Sequence, residues 1–236
     1  MTLVIALSCK DGIVMASDGA GVVSSAGGPI KQQVTKIHKV GNRTLIGASG
    51  SIGVIQRTVD VFSKHSRELS KGFTQELRDK IKDELVGVFK KAMDVHRAYH
   101  GNDEEAPMAE ILVATIDSLG TYKIWHIAKD CNDEFLDGVG FACVGGGDTF
   151  AYTLLKNTYS KELDIRKGAV LSYKVIQDAI KIGAFGFGEP VDVWVLNSGK
   201  PTRLNSRQLR SVHEAYLKWG KIESDAIDRL RVRNFL

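Results

Sequence analysis

The first two strands of the chain lie in residues 2–18, TLVIALSCKDGIVMASD. Two apolar runs, residues 3–7 and 13–17, flank a Lys-Asp-Gly turn at residues 10–12. Asp-Gly between two apolar runs is a strong signal of a β-hairpin. Strands that are continuously apolar are usually covered on both faces. The stretch therefore predicts a buried hairpin at the start of the fold.

The segments after this hairpin change from strand to helix. A loop rich in Gly, Ser and Pro is expected over residues 19–29, and a second hairpin over residues 34–48 with its turn at 41–43. Apolar residues then recur every three or four positions, which predicts two helices separated by residues 70–72 and ended by an acidic loop at 101–107. The residues with this spacing are Ile55, Val59 and Phe62, then Leu77, Ile81, Leu85, Val88 and Ala92.

The second half of the chain again has strands followed by helices. The expected elements are strands at residues 111–116 and 122–127, helices at 149–156 and 169–182, a strand at 191–196 and a helical tail at 206–219. Strand pairs and helix pairs alternate in blocks, whereas a doubly wound sheet alternates them one by one. Two antiparallel sheets packed face to face, each covered by a helix pair, would bury all of these faces. The expected fold class is therefore α+β, a four-layer αββα sandwich.

The chain lacks an internal linker or repeat, which predicts a single domain over residues 1–236. Residues 2–200 are expected to form the αββα core, and residues 201–236 a helical C-terminal extension.

The composition is that of a soluble globular protein, with 43% apolar and 25% charged residues. The net charge is +4, and the basic residues are spread along the chain without interleaved aromatic residues, so a nucleic-acid partner is not expected. No apolar run is long enough to span a bilayer and no secretory signal is present, so a membrane partner is not expected either.

The cysteines are odd in number and lie in or near apolar runs, at Cys9, Cys131 and Cys143. They indicate reduced, buried thiols and a cytoplasmic location. His96 and His100 are four residues apart on an expected helix, a spacing that suits a metal but equally a solvated helix end, and no metal site is predicted. The glycine cluster at residues 145–147 lacks the rest of a nucleotide-binding motif, so no cofactor is expected.

Thr2 directly follows the initiator methionine and directly precedes the first strand. If Met1 is removed, Thr2 carries a hydroxyl and a free α-amine on one residue. An α-amine has a reference pKa of about 7.7–8.0 and is therefore partly neutral near physiological pH. Such an amine can act as the general base for the hydroxyl beside it, which activates a weak alcohol nucleophile.

Three further residues stand at strand ends that a four-stranded meander can bring near Thr2. Asp18 ends the second strand, Lys36 opens the third and Gly50 follows the fourth. The segments around them, CKDGIVMASD, TKIHKV and SGSIG, resemble in combination the N-terminal half of proteasome β subunits and their bacterial relative HslV, which are N-terminal-nucleophile hydrolases. The resemblance covers residues 2–65 well, continues more weakly through residues 111–127 and GGGDTFAY, and returns at PVDVWVLN.

This resemblance implies a role for each of the four residues. Thr2 would be the nucleophile, and Lys36 would lower the effective pKa of its hydroxyl, because a nearby cation favours the anionic form. Asp18 would hold Lys36 and balance its charge. The backbone N–H of Gly50 would face the developing oxyanion.

The resemblance also implies a substrate pocket. Ala20, Val22, Ala48 and Ile52 are the positions expected to bind substrate, with the two small alanines leaving room for a bulky side chain. The implied partners are a peptide or protein substrate, further copies of the chain, with a ring as one arrangement, and a regulatory ATPase.

The sequence departs from the family pattern around the expected nucleophile. Lys36 comes about two positions late, Gly146 replaces a serine, and Ala184 and Phe187 replace an Asp and a Ser before the last strand. In addition, Val22 replaces a substrate-binding threonine. The residues that could supply hydroxyl or carboxylate partners to the nucleophile instead are Ser49, Ser51 and Asp148.

Three functions are therefore compatible with the sequence. The first is a threonine-type peptidase or amidohydrolase. The second is a catalytically silent proteasome-like scaffold, which the departures favour. The third is a transpeptidase or protein ligase in which an amine resolves the same acyl-enzyme. The first and third share their nucleophile chemistry, so the sequence does not separate them.

Overall fold

The structure, a computed structural model, describes residues 1–25, 28–101, 107–183, 186–198 and 200–230. The strands in these residues are β1 (Leu3–Cys9), β2 (Gly12–Ser17), β3 (Ala20–Ser25), β4 (Gly28–Gln33), β5 (Ile37–Val40), β6 (Thr44–Gly50), β7 (Ala109–Ile116), β8 (Tyr122–Ile127), β9 (Asp133–Phe135), β10 (Phe141–Gly145), β11 (Asp192–Asn197) and β12 (Lys200–Arg203). The helices are α1 (Ile52–Lys64), α2 (Ser66–Lys71), α3 (Gln75–His100), α4 (Asp148–Thr158), α5 (Ile165–Ile182) and α6 (Ser206–Asp228).

The strands form two five-stranded antiparallel sheets and one separate hairpin. The first sheet has the order β10-β1-β2-β11-β12, and the second has the order β5-β6-β7-β8-β9. The predicted first hairpin is the centre of the first sheet, where Leu7 of β1 lies opposite Val14 of β2. Strands β3 and β4 pair only with each other.

Strand β1 shows why the opening stretch is continuously apolar. Successive side chains of a strand point to opposite faces. Val4 and Ala6 lie between the two sheets, against residues such as Leu112 of the second sheet. Leu3 and Ile5 point the other way and pack beneath the helices. Both faces of β1 are therefore buried, as the sequence predicts.

Helices cover the outer face of each sheet. Helices α1 and α3 cover the second sheet, with Phe62 and Ile81 packed in the same cluster as Trp125. Helices α4, α5 and α6 cover the first sheet, with Ile176 and Tyr216 in its outer core. Each fully buried large apolar side chain contributes about 1.5–3 kcal/mol. The layers run helix, sheet, sheet, helix, which confirms the αββα sandwich.

Three local expectations were wrong. Residues 20–25 and 28–29, part of the segment expected to be a loop, belong to the hairpin β3–β4, because backbone pairing makes strands of a stretch whose Gly, Ser and Pro content predicts a loop. The segment 70–72, expected to separate two helices, is helical at its first two residues, which are the end of α2. The helix stops at Gly72, whose φ is 136°. The strand that the sequence predicts to start at residue 34 is β5 and begins at Ile37, so Lys36 lies just before it.

The pattern also missed the short strands β9, β10 and β12. Strand β10 pairs along β1 from Leu3 opposite Gly145 to Leu7 opposite Phe141. Its five residues are too few to show a clear period, and the glycines that follow it resemble a loop. The tertiary pairing with β1 is what makes this segment a strand.

The C-terminal segment packs on the sandwich. The expected boundary between residues 200 and 201 falls inside β12, which pairs with β11. Helix α6 starts with a capping box between Asn205 and Gln208 and buries Val212 and Tyr216. None of the helices described here has both the length and the apolar character that crossing a bilayer requires.

Candidate active site

Asp18 lies at the end of β2 and is completely buried. Its Oδ1 accepts hydrogen bonds from Lys36 Nζ at 2.6 Å and from the N–H of Leu3 at 3.0 Å. Its Oδ2 accepts from the N–H groups of Ala20 and Gly188, each at 3.3 Å. A buried carboxylate is tolerated when its lone pairs are satisfied in this way. The carboxylate is therefore held in one position and orients Lys36.

Lys36 is also buried, with 6% of its surface exposed. Its backbone carbonyl accepts a hydrogen bond from the N–H of Ala48 at 3.3 Å, which ties it to β6. Burial lowers the pKa of its ammonium below the ordinary value, and the ion pair with Asp18 opposes that shift. The second acceptor of Nζ is the carbonyl oxygen of Met1, at 3.2 Å.

Thr2 lies at the point to which Lys36 is directed. The Met1 carbonyl that accepts from Lys36 Nζ belongs to the peptide bond between Met1 and Thr2, so its oxygen is two covalent bonds from the nitrogen of Thr2. Met1 itself is 58% exposed and stands at the rim. Removal of Met1 would leave the α-amine of Thr2 beside the lysine.

Two glycines near Thr2 occupy positions where a side chain would not fit. Gly50, at the end of β6, has a φ of 124°, and a Cβ there would lie 2.2 Å from the carbonyl oxygen of Met108. Gly145, at the end of β10, has a φ of 106°, and its Cβ would lie 2.0 Å from the carbonyl oxygen of Thr2. Only glycine adopts such backbone angles without strain and without a clash. The end of β10 therefore lies directly against the backbone of Thr2, and the end of β6 lies directly against that of Met108.

A cavity of about 660 Å³ opens beside Thr2, Lys36 and Gly50. Its other described lining residues are Met1, Gly21, Gln32, Val34, Thr35, His38, Ala48, Ser49, Ile52, Ile55, Gln56, Val59, Asp60 and Gly146. This volume falls within the range of small-molecule and peptide side-chain sites.

The four positions expected to bind substrate divide between the cavity and its surroundings. Ala48 and Ile52 line the cavity, Ala48 buried and Ile52 51% exposed. Ala20 is buried and does not line it, since its contribution is the N–H that binds Asp18. Val22 belongs to β3, and its side chain lies outside the described part of the structure.

The three residues considered as substitute partners for the nucleophile lie in different surroundings. Ser49 lines the cavity. Ser51 does not, and its N–H donates to the carbonyl of Met108 at 2.8 Å. Asp148 is used locally, since its carboxylate accepts from the N–H of Thr149 at 2.5 Å at the start of α4.

The residues that replace the family's polar side chains are apolar or small. Gly146 lines the cavity against the Met1 side chain. Phe187 is buried and packs closely on Gly147, so it fills the space next to the helix start. Ala184 lies outside the described residues.

Other sites suggested by residue type lack the required environment. Cys9 is buried, and burial raises the pKa of its thiol to about 12, so it cannot supply a thiolate near neutral pH. The three cysteines are free thiols, with Cys131 only partly buried. The rings of His96 and His100 stack on each other at 4.8 Å. Within the described ranges, no group of three or more metal-binding side chains is arranged to hold an ion.

Sequence reasoning missed several residues of this site. Gly188 supplies an N–H to Asp18 from 170 positions away, and no local pattern signals such a contact. His38 on β5 and Gln56 and Asp60 on α1 also line the cavity, and the helical spacing that predicts α1 is carried by apolar residues alone. Gln56 and Asp60 were detectable, because they lie on the same helix face as Ile55 and Val59.

The four-layer sandwich defines the fold class of the protein. The fold is that of the N-terminal-nucleophile hydrolases. Among these, the chain belongs to the proteasome subunit family, whose model matches residues 2–196.

Individual relatives agree with this assignment. The chain is 25% identical to proteasome subunit beta 2 of Pyrococcus furiosus over 198 residues, which cover 78% of the chain and 82% of the relative. It is 21% identical to a proteasome subunit beta of Methanosarcina barkeri over 217 residues, covering 92% and 96%. The solved structure of Anbu (ancestral beta-subunit) from Yersinia bercovieri has the same fold, with a TM-score of 0.75 at 11% identity over 99% of this chain and 100% of that chain.

Proposed function

We propose that the chain is a threonine-type peptidase or amidohydrolase whose nucleophile is the hydroxyl of Thr2, freed by removal of Met1. The observation that supports this most directly is the buried Lys36–Asp18 pair at 2.6 Å, whose lysine also reaches the peptide bond of Thr2. A buried cation is costly unless it is paired, so its place beside a chain end calls for a chemical reason. Activation of Thr2 supplies one.

The reaction follows from these groups. The Thr2 hydroxyl attacks the carbonyl carbon of an amide, and its proton passes to the α-amine of Thr2. Lys36 stabilises the developing alkoxide, and the N–H of Gly50 faces the oxyanion of the tetrahedral intermediate. A donor of that kind contributes about 2.7–4 kcal/mol. The α-ammonium then protonates the departing amine, and water hydrolyses the resulting ester to restore Thr2.

A second candidate is a catalytically silent scaffold subunit. It is favoured by the apolar or small residues at Gly146 and Phe187, and by the Met1 carbonyl that holds Lys36 in the unprocessed chain. A third outcome uses the same acyl-enzyme, with an amine in place of water as the acceptor. This would make the protein a transpeptidase.

The relatives are named as subunits, and we propose that this chain also self-associates, with a ring as the arrangement expected from heterologous interfaces that close. A peptide or protein is the proposed substrate.

The proposed nucleophile chemistry is tested with a threonine-directed electrophile and intact mass. We expect a mature chain that starts at Thr2 and gains one label. Lys36→Ala should reduce labelling at least about a hundredfold, because an oxyanion-stabilising group is typically worth that much. Lys39→Ala is the matched control, since Lys39 is exposed on β5 and outside the cavity lining.

Circular dichroism should show folded protein for both variants, with Lys36→Ala the less stable of the two because it leaves the buried Asp18 without its cation. An active preparation that retains Met1 on every chain would contradict the mechanism. Equal loss of labelling in the two lysine variants would point to a structural effect.

A further inference from the structure

The cavity beside Thr2 has one long wall that belongs to helix α1. Five residues of this helix line the cavity: Ile52, Ile55, Gln56, Val59 and Asp60. Their spacing of three, four, seven and eight positions places them on one helix face. From Ile52 to Asp60 the wall is about 12 Å long. It therefore runs from the neighbourhood of Gly50 to a carboxylate.

The charges on this cavity are unbalanced. Lys36 is the one lysine or arginine among the described lining residues, and its charge is matched by Asp18 at 2.6 Å. Asp60 is exposed on α1 and makes no hydrogen bond or ion pair with any described residue. Among the described side chains that line the cavity, the Asp60 carboxylate is therefore the one charge without a charged partner.

The other polar lining groups leave that charge uncancelled. Gln32, Thr35, Ser49 and Gln56 are neutral. Burial lowers the pKa of His38 below its ordinary value, so its ring is neutral at and above pH 7. A cation that enters the cavity thus meets one free carboxylate and several hydrogen-bond acceptors.

The remaining lining suits the stem of a long basic side chain. Ala48 is small and leaves room, while Ile55 and Val59 offer apolar surface between the Thr2 end and Asp60. Lysine and arginine bury their methylene stems on such surface and keep the charged end at a polar group. The cavity combines these two features along a single helix face.

We propose that this cavity selects a basic side chain, lysine or arginine, of the peptide bound at Thr2, and that Asp60 is the residue that determines this preference. The proposal rests on the proposed function for the identity of the ligand as a peptide, but the preference is a property of the cavity alone. A unit charge pair at about 4 Å gives about fivefold in water, and more where the dielectric constant falls.

Binding tests the preference without catalysis. The probes are N-acetylated tetrapeptide amides that differ only in a last residue of Arg, Leu or Glu, measured by calorimetry against the Thr2→Ala protein. We expect the Arg peptide to bind at least about fivefold more tightly than the Leu peptide, and the Glu peptide most weakly. Equal affinities, or tighter binding of the Glu peptide, would overturn the proposal.

Two neutralising substitutions identify the residue responsible. Asp60→Asn, in the same background, should lower the ratio of Arg to Leu affinity to near one. Asp94→Asn removes the same charge from an exposed position of α3 outside the cavity lining and should leave the ratio as it was. An unchanged ratio in Asp60→Asn, or an equal change in both variants, would refute the assignment of Asp60.

The same three sequences as threonine-directed electrophiles separate this proposal from the function on which it rests. Labelling of Thr2 in the order Arg, Leu, Glu supports both. If no probe labels Thr2, the nucleophile is wrong, and the binding series still decides the preference. If all three label equally, the nucleophile stands and the preference fails.

Discussion

At the scale of single residues, the carboxylate of Asp18 accepts four hydrogen bonds from described residues. It is fully buried, and its two oxygens accept from Lys36 and from three backbone N–H groups. Its charge balances a lysine that has almost no access to water. The residue therefore joins the stability of the fold to the proposed chemistry.

Asp18→Asn should accordingly lower stability as well as activity. Removing one partner of a buried pair leaves an uncompensated charge and typically costs about 3–5 kcal/mol. Thr2→Ala should change stability by less than about 1 kcal/mol, because it removes a hydroxyl and a methyl group at the chain start. Denaturant unfolding of the two variants measures the difference. An Asp18→Asn protein as stable as the parent would contradict a buried, paired carboxylate.

At the scale of elements, a row of polar side chains links three neighbouring strands of the second sheet. His126 of β8 lies between Glu110 of β7, with Nε2 and Oε1 2.9 Å apart, and Glu134 of β9, with Nδ1 and Oε1 3.5 Å apart. The hydrogen bond with Glu110 raises the pKa of His126 above its ordinary value. The ring thus connects three strands at the edge of the sheet, and its raised pKa favours the protonated form.

This row predicts a pH-dependent stability. A histidine whose pKa is raised by folding stabilises the folded state fully below its unfolded pKa of about 6.5, and the effect is lost as pH rises through the higher folded pKa. His126→Gln should therefore cost of the order of 1 kcal/mol at pH 6 and less at pH 9. Urea unfolding of variant and parent at the two pH values measures this. A cost that does not vary with pH would mean that the ring is neutral in the folded protein.

At the scale of the whole molecule, the sandwich presents helix layers on its two outer faces. Helix α6 adds to one of these layers, and beyond Trp219 its residues are exposed. Large apolar side chains remain exposed there, at Ile222 and Ile227 on the helix and at Leu230 just after it. These outer layers are the surfaces through which copies of the chain would meet.

The proposed self-association predicts a particle much larger than one chain. The mass of the chain is 25.8 kDa, and light scattering at micromolar concentration should give several times that value. A dilution series distinguishes a closed assembly, whose mass stays constant, from an open one, whose mass changes gradually. A strictly monomeric species would remove the ring and leave the chemistry of Thr2 untouched.

The sequence by itself determined most of the elements and the residues at the centre of the site. Apolar runs and turn residues predicted β1 and β2, and helical spacing predicted α1 and α3, because burial of one face repeats with a period that the backbone sets. The motifs around Thr2, Asp18, Lys36 and Gly50 pointed to one family, and the family model confirms that assignment. These signals are local, so they can be read without knowledge of the neighbours.

The tertiary structure alone decided which distant segments meet. It pairs β10 with β1, forms a hairpin where a loop was expected, and brings the N–H of Gly188 to Asp18. It also places His38 and Asp60 in one cavity, because α1 packs over the sheet that contains β5. Residues far apart in the chain share no period, so their contacts depend on the order of the strands and on the packing of the layers, which exist only once the chain is folded.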